Sequence, residues 1–591
     1  MNKHLQFLTV GGILSLSASL GVVCPVVAQQ GLFLAYPPTE HETTASQIFL
    51  IGSASPEGEV LINGKPIQRS SMGHFAPSFP LEMGENRFRI RYGNQEVKVT
   101  VTRVSNLPSI PAGVAFATDS FTPGRDISRL PGELICFGAI APANGQVSLR
   151  LGNENIPLTA QPQNVQLPPN SAVLTAQNEP NVISEIREYS GCTTVEKPGN
   201  LGNPVYQLSL GGKTVTQQSP GNVTILAPTN LAVVEVTADA GVARTGPTTN
   251  YSRLTPLPKG TIAAVTGREG DWLRLDYGAW IRENETQVIA TNVPPKSLIR
   301  SITSRQVAGA TEIIFPLQSP VPVSINQGEQ TFTLKLHNVI AQTDTIRLDD
   351  DPLIKRLDWQ VPTPGEIEYT FHLKSPQQWG YDLRYEGTSL ILSLRHSPAQ
   401  ISQSLSGIKI LLDPGHGGQE LGARGPNGYP EKDVNLAVAK LLQEELKRRG
   451  ATVYMTRESD VNVSLADRVA MIQEVQPAIA LSVHYNALPD SGDAVNTAGV
   501  GMFWYHTQAH DLAVFLHNYL VEKLNRPSYG VFWNNLALTR PHIAPAVLME
   551  LGFMINPVEF EWVSDRQAQR QLANTLAEGI VEWFREVNES R

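Results

Sequence analysis

The sequence predicts a multidomain protein in which several all-β modules precede one α/β domain, an open mixed sheet flanked by helices. Three observations predict it. A chain of 591 residues is too long for a single hydrophobic core. Between about residues 40 and 397, short runs of alternating apolar and polar residues recur between Gly, Asn and Pro turns, as half-buried strands do. From residue 407 onward, short apolar runs alternate with longer stretches whose apolar residues recur at helical spacing, the pattern of a sheet layered with helices.

Composition narrows the class. Hydrophobic residues make up 41% and charged ones 17%, an ordered globular balance rather than a disordered one. The formal net charge of −9 and the lack of any basic block exclude a protein built to track nucleic-acid phosphates. At the N-terminus, Lys3 precedes an apolar run from Leu5 to Val23, and Val26-Val27-Ala28 closes it with small residues. Residues 1–28 therefore read as a secretory signal peptide, with a retained membrane anchor as the alternative. No later stretch is apolar enough to cross a bilayer, so the mature chain is expected outside the cytoplasm, periplasmic or wall-associated. Processing removes Cys24 and leaves Cys136 and Cys192, which suggest one disulfide, or else two buried thiols.

The β-modules follow in order. Residues 40–104 carry strand patterns at Gln47–Gly52, Glu59–Ile62, Asn86–Tyr92 and Glu96–Thr102, with a hairpin signal at Asn63-Gly64. They resemble the immunoglobulin-like sandwiches of exported bacterial enzymes. Residues 110–226 form a second β-rich unit of no legible function, with Cys136 in a strand pattern and Cys192 in a loop. In residues 230–290, Arg244-Thr-Gly-Pro247, Pro258-Lys-Gly-Thr261, Trp272 and Trp280 resemble the turns and closing strand of bacterial SH3-like modules. That resemblance implies a hold on cell-wall material; the alternative is that both tryptophans fill a small core. Residues 297–397 are again β-rich and resemble the AMIN modules of exported wall enzymes. The run Asp349-Asp350-Asp351 within them reads as a solvated loop rather than a cation site. Ser397 to Ser406 is the linker.

The C-terminal unit, 407–591, carries the chemistry. Predicted strands Ile408–Leu412, Thr452–Met455, Ala478–Val483 and Val547–Leu551 alternate with helices near 434–449, 464–474, 509–524 and 565–587. The first strand breaks at Asp413-Pro414-Gly415, and His416 follows, ahead of Gly417-Gly418. Ligands bind beyond the carboxyl ends of strands in such sheets. Glu431 opens the next helix, and His484 ends the strand Ala478–Val483. Two histidines and a carboxylate are the donor set of a catalytic zinc site that keeps one position open. Glu550 interrupts an apolar strand, where a carboxylate is costly unless it faces a polar site, so it is the candidate general base and acid. The alternative is a salt bridge to Arg457, Arg468 or Arg540. His506 and His510 have i, i+4 spacing, but Tyr505 ends a strand pattern, so they are not expected to share a helical face. His517 and His542 read as surface or substrate-side residues.

These segments resemble, in order, the zinc-dependent N-acetylmuramoyl-L-alanine amidases: Asp413-Pro-Gly-His416-Gly-Gly, Glu431-Lys-Asp-Val-Asn-Leu436, Thr456-Arg457, Leu465-Ala-Asp-Arg468, Ser482-Val-His484-Tyr-Asn486-Ala and Glu550-Leu-Gly-Phe553. The resemblance implies zinc on His416, Glu431 and His484, with Glu550 catalytic. It implies hydrolysis of the amide between N-acetylmuramic acid and L-alanine in peptidoglycan, by zinc-activated water. Arg424 and Asn486, near the ligands in sequence, are expected to position substrate. The chain departs from the family at Tyr485, where a small residue is usual, and at Met471-Ile472. Leu488 to Val500 is too short for the regulatory helix some relatives insert there. The site is therefore expected to be open, with any restraint, or any contact with cell-wall or division proteins, coming from the β-modules.

Overall fold

A computed structural model describes residues 31–105, 113–162, 164–175, 178–183, 187–291, 293, 296–398 and 404–589. The expected signal peptide, with Cys24, and the middle of the expected linker lie outside the described residues.

The N-terminal unit folds around Ile48, Val60, Phe75, Ile90 and Val101, all almost fully buried. The alternation of Gly84–Tyr92 against Gln95–Arg103 sends Phe88, Ile90, Val99 and Val101 inward and charged residues outward, so the hairpin register follows the burial pattern. The next sheet pairs Leu134–Ala141 with Arg187–Thr194, which places Cys136 directly opposite Cys192. The two are joined by a disulfide. Cys192 thus stands in a strand and not in the expected loop. Gly191 beside it reads as a turn in sequence, but here the lack of a side chain admits Leu158 of the neighbouring strand.

A further sheet crosses the expected border between 110–226 and 230–290. Ile127–Arg129 pairs antiparallel with Ile262–Glu269 and parallel with Val223–Ile225. Trp272 and Trp280 are buried, at 3% and 7% exposure. The Arg282 guanidinium lies 5.2 Å from the Trp272 ring and that of Arg129 lies 5.6 Å from the Trp280 ring. These aromatic faces are thus covered by the protein itself.

Residues 297–397 form a sandwich of a five-stranded and a four-stranded sheet around Ile302, Phe315, Leu334, Tyr369 and Leu392. Within it, Asp351 differs from the expected solvated loop. It is 4% exposed and accepts hydrogen bonds from Thr311 Oγ1 and from the Leu353 and Ile354 amides, so it is a buried turn acceptor.

The C-terminal unit is the expected mixed sheet with helices. Its six strands lie in the order Thr452–Met455, Lys409–Pro414, Ile479–Asn486, Ala546–Phe553, Val500–Trp504, Ser528–Trp533. The first four run parallel, and Val500–Trp504 is antiparallel to Ala546–Phe553. Val434, Val438, Leu442 and Leu446 recur at helical spacing on Glu431–Arg448 and are fully buried against the sheet. Ser464 caps Leu465–Val475 and Asn556 caps Pro557–Ser564, each accepting from backbone amides of its first turn. The parallel arrangement sets the carboxyl ends of Lys409–Pro414, Ile479–Asn486 and Ala546–Phe553 side by side. That edge holds the site.

Two of the β-modules pack directly on this unit. Phe49, Ile51 and Ala76 share one buried cluster with Ala494, Phe553 and Ile555. On another side, Trp379 stacks on Phe584, with ring centroids 5.8 Å apart, and Arg395 donates to the carbonyls of Pro477 and Ile543.

Candidate active site

The loop that presents His416 is held by a buried polar frame. Asp413 pairs with Arg468 at 2.5 Å and accepts from Thr456 Oγ1 and Ser482 Oγ at 2.5 and 2.6 Å. Arg457 donates to the carbonyls of Pro414, Gly415 and Lys432 at 2.9, 2.9 and 2.7 Å. A buried charge is tolerated when its hydrogen bonds are satisfied, and both arginines here satisfy several carbonyls at once. The motif pieces Thr456-Arg457, Arg468 and Ser482 therefore shape the loop. None of Arg457, Arg468 or Arg540 pairs with Glu550; Arg540 donates to Asn535 instead.

Two glycines are required by close approach. A Cβ on Gly415 would stand 2.1 Å from the His484 ring, and one on Gly422 would stand 2.4 Å from Glu431 Oε2. His416 itself has φ +59°, the left-handed region that costs a non-glycine residue energy and is concentrated at functional sites.

His416, Glu431 and His484 come together, with one potential ligand atom from each lying within 4.8 Å of the others. Glu431 Oε2 lies 3.1 Å from His416 Nε2, and Glu431 Oε1 lies 3.0 Å from His484 Nδ1. The carboxylate is further fixed by the amides of Ala423 and Tyr485 at 2.8 and 3.2 Å and by Asn435 Nδ2 at 3.0 Å. Burial alone would raise the Glu431 pKa, but the hydrogen bonds and charges of the two imidazoles hold it well below the usual carboxylate range. Burial likewise opposes a charge on His416, yet its bonds to Glu431 and Glu420 outweigh that and raise its pKa. This donor set fits a tetrahedral divalent ion with one position left for a ligand from solution. The fit extends outward: His416 Nδ1 lies 3.0 Å from Glu420 Oε1, the carboxylate-on-imidazole arrangement that orients a metal-binding histidine.

Glu550 stands beside this cluster, opposite His484 in the parallel register of the two central strands. Its Oε2 is buried and has no hydrogen-bond partner among the described residues. Burial first, and the charge of Glu431 second, push its pKa well above the ordinary carboxylate value. A carboxyl group with a raised pKa next to a candidate metal-ligand cluster has the character of a proton carrier.

The remaining expected residues divide. Arg424 is exposed, and together with Gly422 and Ala423 it lines a cleft on the far side of the loop that bonds Glu431. Asn486 Oδ1 accepts from the Ala487 amide at 2.8 Å, a local turn contact. His506 precedes a short 3-10 turn and bonds the Arg540 carbonyl, so it shares no helical face with His510. His517 is not a surface residue, and His542 is half-buried. His517 is 6% exposed and bonds Ser528 and Asn518, while His542 stacks on Tyr381 with ring centroids 4.7 Å apart. His517 departs from the surface expectation because a lone histidine in an apolar pattern carries no signal of its partner. Tyr485 is buried, and its amide rather than its ring serves Glu431. Sequence reasoning missed Glu420 and Asn435 as supports. Asn435, four residues after Glu431 on a fully buried helix face, was the readable signal.

Residues 410–582 match the N-acetylmuramoyl-L-alanine amidase family. The matched stretch contains His416, Glu431, His484 and Glu550. A Staphylococcus aureus protein described as a probable cell wall amidase, LytH, is 36% identical over 182 residues, which are 30% of this chain and 60% of that one. The chain thus spans about 60% of the length of the curated relatives it matches. Among solved structures, an N-acetylmuramoyl-L-alanine amidase from Clostridium difficile 630 is 26% identical, over 31% of this chain and 97% of that one, with a TM-score of 0.29. The amidase AmiC2 of Nostoc punctiforme is 29% identical, over 30% of this chain and 98% of that one, also with a TM-score of 0.29.

Proposed function

We propose that the chain is an exported peptidoglycan hydrolase that cleaves the amide between N-acetylmuramic acid and L-alanine. The observation that carries this reading is Glu550 Oε2, buried and unpartnered beside the cluster of His416, Glu431 and His484. The family match over residues 410–582 supports the choice of substrate.

In this reading His416, Glu431 and His484 hold zinc. When bound, the ion supplies Lewis-acid polarisation of a carbonyl and acidifies water at neutral pH. Glu550 is the proton carrier: as the carboxylate, the form that the charge of a divalent ion held by the neighbouring triad would favour, it takes the proton of the attacking water at Oε2 and then delivers it to the departing amide nitrogen, so one carboxyl group serves as base and then acid. Glu420 and Asn435 hold His416 and Glu431 in orientation. The frame of Asp413, Arg457 and Arg468 keeps the loop from relaxing, which preserves the spacing a proton transfer needs. Arg424 and Asn486 position substrate from the loop edges. The β-modules, immunoglobulin-like, SH3-like and AMIN-like by resemblance, hold the enzyme to the wall. No helix among the described residues is long and apolar enough to cross a membrane.

The test is incubation of the full chain with purified peptidoglycan and mass spectrometry of the products. Muramic acid with a free lactyl carboxylate, together with intact stem peptides, is expected, lost in Glu550→Ala and after chelation. Cleavage within the stem would instead make it a peptidase, and no release in any condition would leave a wall-binding scaffold.

A further inference from the structure

The N-terminal module is fastened beside the candidate site at three points. Tyr36 Oη donates to Asp490 Oδ1, and His41 Nε2 lies 2.9 Å from Asp490 Oδ2. Ser71 Oγ and the Met72 amide donate to the two carboxylate oxygens of Glu561 at 2.7 and 2.8 Å. Between them, Phe49 and Ile51 are buried against Phe553 and Ile555 in one apolar cluster. Buried apolar contact flanked by polar fastenings makes a fixed wall rather than a loosely tethered binding domain.

That wall encloses a cleft of about 770 Å³, within the size range of ligand sites. One side is the extended stretch 32–39; the other is the 422–424 loop with Leu488 and Ile555. The cleft adjoins the candidate site across the loop backbone: Gly422 in its lining stands against Glu431 Oε2 and the His416 ring, which an added Cβ would meet at 2.4 and 2.6 Å. The Phe33 ring reaches across to Gly428, where an added Cβ would stand 2.9 Å from its Cζ. Phe33 is nonetheless 43% exposed, a large apolar side chain left open at the cleft rim.

The lining decides the ligand class. It consists of Leu, Phe, Ala, Tyr, Pro, Ile, Val and Gly with one threonine and a single charged residue, Arg424. No Asp, Glu, Asn, Gln or Trp lines it, so a sugar would lose the hydrogen bonds of its hydroxyls to water without replacement. A peptide of small apolar residues that carries a carboxylate has the matching chemistry, since an arginine guanidinium binds a carboxylate through paired N–H groups. Phe33–Tyr36 is also an edge strand of its sheet, the kind of backbone that an extended peptide can line.

We propose that this inter-module cleft is the binding site for the peptide stem, with Arg424 on a stem carboxylate and Phe33 covering the stem's apolar side. The N-terminal module is then part of the substrate site and a determinant of specificity. The inference rests on the amidase reading for the identity of the peptide, and its test separates the two. Binding of a free tetrapeptide stem to the full chain is measured calorimetrically, alongside the same peptide with every carboxylate amidated. Roughly tenfold weaker binding is expected for the amidated peptide and for Arg424→Gln, as loss of a charge-assisted bond implies. Phe33→Ala, at a partly exposed position that tolerates truncation, is expected to weaken binding of both peptides severalfold. In turnover, both variants raise KM on muramoyl-tetrapeptide with little change in kcat. No stem binding by the parent chain, or unchanged binding in both variants, overturns the cleft assignment even if the wall is cleaved. Variant-sensitive stem binding without release of lactyl groups keeps the cleft and removes the amidase.

Discussion

At the residue scale, the site is a matter of who shares a proton with whom. Glu431 is held toward its ionised form by two imidazoles, while Glu550, whose buried Oε2 has no partner among the described residues, is pushed toward its protonated form. In the proposed reaction, two carboxyl groups with these opposed tendencies divide the ligand and proton-carrier roles. Glu550→Gln preserves shape and removes the titrating proton. It is expected to lower kcat by about 10²- to 10⁴-fold while one zinc per chain, measured by elemental analysis, is retained. Glu431→Gln is expected to lose the metal itself. Glu420→Gln leaves the ligands intact but weakens the orientation of His416, and a chelator competition should show metal affinity lower by about 10- to 100-fold. An unchanged affinity would make the Glu420 contact incidental.

At the element scale, the motif residues act on backbone shape more than on chemistry. Gly415 passes so near His484 that a methyl group would overlap the ring, at 2.1 Å. Gly415→Ala is therefore expected to cost metal affinity and activity together while circular dichroism stays unchanged. A variant that binds zinc normally would show that the strand can yield. In the second β-unit, the disulfide links two paired strands across a separation of 56 residues. Reduction is expected to destabilise that unit by about 2–4 kcal/mol, seen as an earlier denaturant transition, and to leave metal content alone. The strands and helices expected in the C-terminal unit were legible because their periodicity is local; the strand Ser528–Trp533 and the helix Pro557–Ser564 were not expected. Cys192 was not, because Gly191 looks like a turn until the strand beside it is known.

At the scale of the whole molecule, the β-sandwich at 297–397 meets the C-terminal unit through Tyr381, His542 and His506. Burial lowers the His542 pKa to about 4, and burial with the neighbouring His542 charge lowers that of His506 to about 4. The unfolded chain binds these protons near pH 6.5 and the folded one only near 4, so stability falls as pH drops through that window. The loss is roughly 3 kcal/mol for each histidine once pH reaches 4. Thermal melts between pH 7.5 and 4 should show it, and His542→Phe, which keeps the stacking on Tyr381, should flatten the slope. A slope unchanged in that variant would assign the acid sensitivity elsewhere.

The sequence by itself singled out the residues that the proposed chemistry uses. His416, Glu431, His484 and Glu550 each sit at a strand end, a helix start or an anomalous place in an apolar run, and such signals depend only on chain neighbours. Tertiary structure alone decided that none of Arg457, Arg468 and Arg540 partners Glu550, that His416 adopts a left-handed backbone, and that Ile127–Arg129 joins a sheet beyond its own unit. It alone decided, too, that residues 32–39 wall the cleft, with Tyr36 bonded to Asp490 across 454 positions. Contacts between segments so far apart leave no periodic trace along the chain; they exist only once buried surfaces have chosen their partners.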